Sequence, residues 1–346
     1  DHVTLDTSSS TNGNSQGLTI GGTTAGAVLD EGQLPVVVNI INGSRVLANR
    51  VGYAIIVFNP VELTVTDSTI NQEGIGWAAF YLKGPNSSEG ASGSEIVVEN
   101  STIYSTGQTS GATNDFAAIV FEDGNISLSI SESTIVVTGA PNEQQTGQAL
   151  ILFSYRYGDP TNIDVALRDN EITFNSAYRP LVSDNEENTN SVVFAGGTIN
   201  VPVEEKYLDP DYALTYNEVD GTYSIANATR VASVGDYTFA TLQDAIDEAA
   251  EGDTVKLLAN VTESVTVGAD KNITLDLNGC TLTNTAGGHT ITNNGTLTVT
   301  GTGTVKATED KTMAVLNYGT AMLVSGTFTR SAETSGYVIK NYGYMT

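Results

Sequence analysis

Cysteine is nearly absent from this 346-residue chain: Cys280 stands alone, which excludes an internal disulfide and leaves burial and backbone hydrogen bonding to stabilise the fold. Histidine is almost as scarce, with His2 close to one terminus and His289 in a glycine-rich turn, so a His-based catalytic constellation has little to draw on. Basic residues are few as well. Fourteen Lys and Arg against 40 Asp and Glu give a formal charge of −26, so a polyanion such as nucleic acid, pectate or an anionic membrane is repelled at long range, and a neutral or cationic partner fits better. Residues 1–230 hold 28 of the acidic and eight of the basic residues, which concentrates the negative charge there. There is no apolar run of membrane length, and no signal peptide or anchoring motif.

What remains is glycine, with 35 residues, and a background of Thr, Ser, Asn, Val and Ile, which is the chemistry of strands joined by tight turns. The length accommodates two domains with their own cores. Both ends fall inside patterned sequence, so the expectation is a piece of a longer secreted polypeptide, truncated at its C-terminal side, with targeting signals elsewhere.

An internal period decides the fold class. Asn293-Asn-Gly-Thr296, Asn317-Tyr-Gly-Thr320 and Asn341-Tyr-Gly-Tyr344 recur at 24 residues, each of the first two followed by a short strand, Leu297 to Val299 or Met322 to Val324. The first half repeats more loosely, as a strand, a polar corner and an isoleucine: Leu63-Thr-Val-Thr-Asp67-Ser-Thr-Ile70, Ile96-Val-Val-Glu-Asn100-Ser-Thr-Ile103, Leu128-Ser-Ile-Ser-Glu132-Ser-Thr-Ile135, Val165-Ala-Leu-Arg-Asp169-Asn-Glu-Ile172, and a closing Val192 to Ile199. The isoleucines lie 33, 32, 37 and 27 residues apart, as expected of a solenoid whose coils share a cross-section while their loops vary. The alternation predicts inward columns of Leu63/Val65, Ile96/Val98, Leu128/Ile130 and Val165/Leu167. Asp67, Asn100, Glu132 and Asp169 then share one corner column, either as turn residues bonding nearby backbone N–H groups or as a carboxylate ladder.

A second family of strands lacks alternation: Tyr53 to Phe58, Trp77 to Leu82, Phe116 to Phe121 and Ala149 to Phe153. With Ala54, Ile56 and Phe58 inward, Ile55/Val57, Ala79/Tyr81, Ala118/Val120 and Leu150/Leu152 point outward, and such an apolar exterior needs a cover. Two covers are open: the long loops 84–94, 106–115 and 139–148, or a partner. In the second case Tyr53, Trp77, Tyr81 and Phe116 form a candidate binding face for a glycan or a protein.

The coil pattern stops around 201–230, where Glu204 to Tyr212 and Val219-Asp-Gly-Thr-Tyr223-Ser-Ile225 read as an edge-capping segment of the first domain. A single helix is expected at about 241–251, with Leu242, Ala245, Ile246, Ala249 and Ala250 on one face, Thr241 and Asp244 as a capping box, and Gly252 as its stop. Tyr237-Thr-Phe-Ala-Thr-Leu-Gln-Asp-Ala-Ile246 followed by Gly252-Asp-Thr-Val-Lys-Leu257 resembles the N-terminal cap of pectin-lyase-like right-handed parallel β-helices. Ile273-Thr-Leu-Asp-Leu-Asn-Gly279, the NxGT repeats and the Asp220-Gly-Thr-Tyr-Ser-Ile225 segment resemble β-helix modules of large surface proteins of gut bacteria. The resemblance covers about 230–346; residues 1–230 share only its style of repeat. It implies an all-β chain of two tandem right-handed parallel β-helices, 1–230 and 231–346, the second opening on a short capping helix.

Resemblance in fold does not transfer activity. Enzymes of this fold act on acidic polysaccharides through a calcium held by clustered carboxylates with an Arg or Lys base, or through converging aspartates near a His. The chain has no Asp-Asp pair, no His-Gly and no Arg-x-Lys. Arg156, Arg168 and Arg179 fall in stretches that also carry Asp159, Asp164, Asp169 and Asp184, and they form an alternative, lyase-type cluster; surface ion pairs are the plainer account. Asp184-Asn-Glu-Glu187 offers carboxylates to calcium without the spacing of a dedicated loop. Otherwise no cofactor or metal is expected. The leading expectation is a non-catalytic, secreted cell-surface adhesin or spacer that binds a glycan or protein; a carbohydrate-active lyase or hydrolase and a purely structural wall-layer element are the alternatives.

Overall fold

The computed structural model describes residues 2–7, 16–21, 35–49, 52–73, 78–83, 93–106, 117–139, 149–155, 160–175, 180–183, 190–331 and 336–346. The chain divides into two compact units, Asp1–Val201 and Pro202–Thr346. Both are built from parallel strands in register, and one α-helix occurs among the described residues.

In the first unit the chain passes repeatedly through three stacks. The first contains Val36–Ile40, Val61–Thr66, Glu95–Glu99 and Ser127–Ser131, then the opening halves of Asp164–Phe174 and Ser191–Ile199. The second contains Thr4–Asp6, Arg45–Asn49, Thr69–Glu73, Thr102–Ser105 and Thr134–Val137, then the closing halves of the same two long strands. The third contains Leu18–Ile20, Tyr53–Val57, Ala78–Leu82, Ala117–Phe121, Ala149–Phe153 and Val182–Ser183. Each strand thus pairs in parallel with its counterpart one circuit later, about 4.8 Å away, which is consistent with a β-solenoid.

The alternation in the first stack dictates its packing. Leu63, Ile96, Leu128 and Val165 form one buried column, and Val65, Val98, Ile130 and Leu167 another. Ile70, Ile103, Ile135, Ile172 and Ile199 stack as a third, across the corner. Each buried aliphatic side chain contributes roughly 1.5–3 kcal/mol, and a column of like residues leaves few voids.

Asp67, Asn100, Glu132 and Asp169 do share a corner, and the reason is backbone geometry: their φ angles are 50°, 46°, 49° and 54°. Each turns the chain from the first stack to the second through the left-handed region, which Asp and Asn tolerate best among residues with a side chain. In the next coil this place falls to Gly196, φ 82°. The backbone N–H groups are met by the residue one step on. Ser68 N–H donates to Ser101 Oγ at 3.1 Å, Ser101 N–H to Ser133 Oγ at 3.0 Å, and Ser133 N–H to Asn170 Oδ1 at 3.0 Å, all buried.

The register of the third stack differs from expectation by one residue in its Tyr53–Val57 coil. Ile56, not Ile55 or Val57, aligns with Tyr81, Val120 and Leu152, while Ile55 aligns with Phe80, Ile119 and Ile151. A strand apolar on both faces gives no pattern from which to read the register, so neighbouring coils decide it.

The second unit opens on the hairpin Tyr212–Asn217 and Thr222–Asn227, whose Leu214 pairs with Phe239. The segment expected to close the first domain therefore belongs to the second compact unit, which begins at Pro202. Ala232–Val234 then pairs antiparallel with Tyr237–Phe239 and with Thr254–Leu257.

The helix spans Leu242–Glu248, shorter than expected. Thr241 Oγ1 accepts from Asp244 N–H at 3.0 Å, and the Glu263 carboxylate accepts from the N–H groups of Leu242 and Gln243 at 2.8 and 2.9 Å. At the other end the backbone leaves the helix at Ala249, ψ 129°, before Gly252 is reached, and the Lys271 ammonium satisfies the Asp247 and Ala249 carbonyls at 2.5 and 2.8 Å.

Three stacks follow: Thr254–Leu257, Asn272–Asp276, Thr296–Thr300, Thr320–Leu323 and Tyr344–Met345; Val261–Thr262, Thr281–Thr283, Thr304–Ala307 and Thr327–Arg330; Val265–Val267, Ile291–Asn293, Val315–Asn317 and Ile339–Asn341. The glycine of each NxG motif is a matter of space. A Cβ on Gly295 would lie 2.2 Å from the Gly268 carbonyl oxygen, one on Gly319 2.1 Å from that of Gly295, and one on Gly343 2.0 Å from that of Gly319.

Candidate functional site

The aromatic face resolves into two parts. Tyr53 and Tyr81 meet with ring centroids 4.4 Å apart and planes inclined at 50°. They pack in a cluster with Ile56, Phe58, Val120 and Leu152, beside Ala78, Ala117 and Ala149. Tyr81 is only 2% exposed. This side of the third stack is thus covered, and a ligand reaching Tyr81 must displace what covers it. Trp77 and Phe116, and the loop segments 84–92, 107–115 and 140–148, lie outside the described residues.

Of the arginine and aspartate cluster, Asp164, Arg168 and Asp169 are described; Arg156, Arg179, Asp159 and Asp184 lie outside, as does the Asp184 to Glu187 turn considered for calcium. Asp164 and Arg168 both line a depression of about 220 Å³ on the outer face of the first stack, with Glu95, Ser127, Ser129 and Ser191. Strand geometry fixes their relation. Residues four apart share a face but lie about 13 Å apart along the strand, with Ala166 between them, so they bracket the depression without converging on one atom. Asp169 is at the left-handed corner and does not line it. The result is a bed in which the hydroxyls of Ser127, Ser129 and Ser191 are interspersed with Val97, Ala166 and Val193, with Glu95 and Asp164 on either side of the Ser127 row toward one end and a guanidinium at the other. Such a bed can hydrogen-bond a hydroxyl-rich or polar ligand lying along it. Among the described residues no three His, Cys, Asp or Glu side chains group as metal ligands.

Sequence reasoning missed a buried charge cluster at the end of the third stack. Glu122 and Asp123 directly follow the apolar strand Ala117–Phe121 and are 1% and 6% exposed. Lys83 Nζ lies 3.7 Å from Glu122 Oε2, Ser154 Oγ donates to Glu122 Oε1 at 3.4 Å, and Asp123 Oδ1 accepts from Gly124 N–H at 2.9 Å. The signal was present, since an acidic pair adjoining a fully apolar strand is an unusual place for charge.

Two carboxyls with shifted titration in the second unit, Asp244 and Asp247, lie on its helix. Burial pushes the Asp244 carboxyl above the usual carboxylate range; hydrogen bonds from Thr241 and the Tyr216 backbone oppose the shift, and nearby Glu218 adds to it. Asp247 is raised by burial too, with Glu218 adding to the shift and Gln243 and Lys271 opposing it. Tyr223 donates its hydroxyl to Glu248 and is pushed up strongly by burial and by that carboxylate. His289 is lowered by burial, and its Nδ1 accepts from Met313 N–H at 3.2 Å, so the ring serves the backbone of the next coil.

These arrangements define an all-β protein of stacked parallel strands whose outer faces carry the polar and aromatic chemistry. No family model, curated protein or solved structure matches the chain. No helix among the described residues is long and apolar enough to cross a membrane.

Proposed function

We propose that the chain is a non-catalytic, secreted cell-surface module, an adhesin or spacer built on two tandem right-handed parallel β-helices of the pectin-lyase-like kind, that binds a glycan or protein through its outer faces. The observation that carries this reading is the in-register stacking: each outward position recurs coil after coil at strand spacing, so a stack offers a ruled surface of Ser, Thr and carboxylate groups to an extended partner. The serine bed between Asp164 and Arg168 is one such surface. Its charged groups flank the hydroxyls along the strand direction, an arrangement suited to holding an extended ligand.

The test pairs glycan and protein arrays with a polysaccharide panel assayed for released product. Saturable binding without turnover is the expected result. Product release, above all unsaturated uronate, would replace this reading with a lyase, and silence on both would leave a structural wall-layer element.

A further inference from the structure

One group of exposed large apolar side chains lies in the second unit: Tyr318, Tyr342 and Tyr344 are 53%, 59% and 65% exposed, with Met322 and Val324 beside them in sequence. The arrangement is ordered. Tyr318 and Tyr342 each follow an asparagine of the 24-residue repeat, and their rings stack with centroids 5.3 Å apart and planes within 6°. The Lys340 ammonium lies 4.8 Å from the Tyr342 ring centre, and Tyr344 aligns with Thr320 of the preceding coil. From Glu309 onward three acidic residues stand against three basic ones, and Asp310 pairs with Arg330 at 3.8 Å, so the stretch around Lys340 is locally neutral in a chain whose formal charge is −26.

We propose that this tyrosine and lysine surface binds the acidic terminal sugar of a glycan, which rests on the glycan-binding form of the function proposed above. Rigid aromatic rings offer an apolar face to a pyranose ring and phenolic hydroxyls to its rim, at little cost in side-chain entropy. The ammonium supplies the complement to one carboxylate. A lone terminal carboxylate escapes the repulsion that excludes polyanions, because charges more than about 8 Å away are largely screened at physiological salt. An acidic peptide would need the cation and leave the stacked rings without a role.

The test is titration calorimetry on the full chain with sialyllactose, a glucuronyl-terminated disaccharide, lactose and hexaglutamate. At least one acidic saccharide should bind about tenfold more tightly than lactose or hexaglutamate, a difference of about 1.4 kcal/mol. Lys340→Gln should erase the preference over lactose, and Tyr342→Ala should weaken binding of the acidic sugar about tenfold or more; Tyr342→Phe, with circular dichroism as a check on folding, keeps the ring while removing its hydroxyl. Equal affinity for lactose, equal affinity for hexaglutamate, or indifference to both Lys340→Gln and Tyr342→Ala would overturn the proposal. If arrays find a ligand whose binding ignores these variants, the surface is wrong and the adhesin reading stands; arrays without any ligand overturn the reading itself.

Discussion

Asn293 donates through Nδ2 to Oδ1 of Asn317, one repeat further on, at 2.7 Å, with both side chains fully buried. Asn317 repeats the bond to Asn341 at 2.7 Å. The other valences are used on the backbone: the second amide hydrogen of Asn293 goes to the Thr320 carbonyl at 2.9 Å, with the Gly295 carbonyl more distant at 3.3 Å, and its Oδ1 accepts from Gly295 N–H. One amide thus ties its own turn to the next coil and fixes the register of both, because a slip by one residue would bury several polar groups without partners.

Removing the middle rung should be costly. Asn317→Ala leaves the Asn293 amide and the Gly319 and Tyr344 carbonyls short of partners, and we expect a loss of roughly 3 kcal/mol, at about 1–3 kcal/mol for each buried unsatisfied group. Urea unfolding of the second unit measures it; a loss under about 1 kcal/mol would show that water replaces the rung.

The glycine beside the ladder should tolerate nothing larger. Gly319→Ala places a methyl 2.1 Å from the Gly295 carbonyl and 2.7 Å from that of Asn294, both backbone atoms that cannot turn away. Separation of the coils, seen as a drop in melting temperature larger than that of Asn317→Ala, is the expected outcome.

The corner column of the first unit makes the opposite prediction. Glu132 sits at φ 49°, where a long side chain gains nothing from the local hydrogen bonding available to Asn. Glu132→Asn should raise stability by about 0.5–1 kcal/mol, and Glu132→Val should lower it by about 1–2 kcal/mol. Chemical denaturation of the two variants side by side checks the sign, and equal stabilities would remove the backbone explanation.

The helix of the second unit should respond to pH. Asp244 and Asp247 have raised values in the folded state, so the folded chain holds these protons more tightly than the unfolded chain. Stability is then lost as pH rises from the ordinary carboxylate value of about 3.9 through the raised values, and is regained on acidification across the same window. Shedding of net negative charge acts in the same direction, and Asp244→Asn separates the two: the melting temperature of the variant should change less between about pH 3.5 and pH 7.5, by about the share that Asp244 carries. An unchanged pH response would assign the effect to net charge alone.

How much was legible follows from where the pattern carried information. Strict alternation in Leu63 to Thr66 and its counterparts fixed the inward columns, and the recurrence of Asn293, Asn317 and Asn341 announced coils of equal length. The helix start at Thr241 was written in its capping residue. In each case the residue type recurs at a fixed place within a repeat or a turn, so the sequence pattern alone exposes it.

Tertiary structure decided the rest. Ile56 joined Tyr81 instead of pointing away from it because a strand apolar on both faces leaves register to its neighbours. The helix left its pattern at Ala249, where Lys271, from a later coil, satisfies the carbonyls at its end. The serines of the corner became buried acceptors only when the coil above supplied the N–H. Asp164 and Arg168, members of one candidate cluster by sequence, stand apart on the outer face of one strand because three extended residues separate them. The sequence by itself determined the coil, through repeats that need no distant partner to be recognised; the faces, the caps and the placing of charge depend on contacts between coils, and those exist only once the chain has stacked.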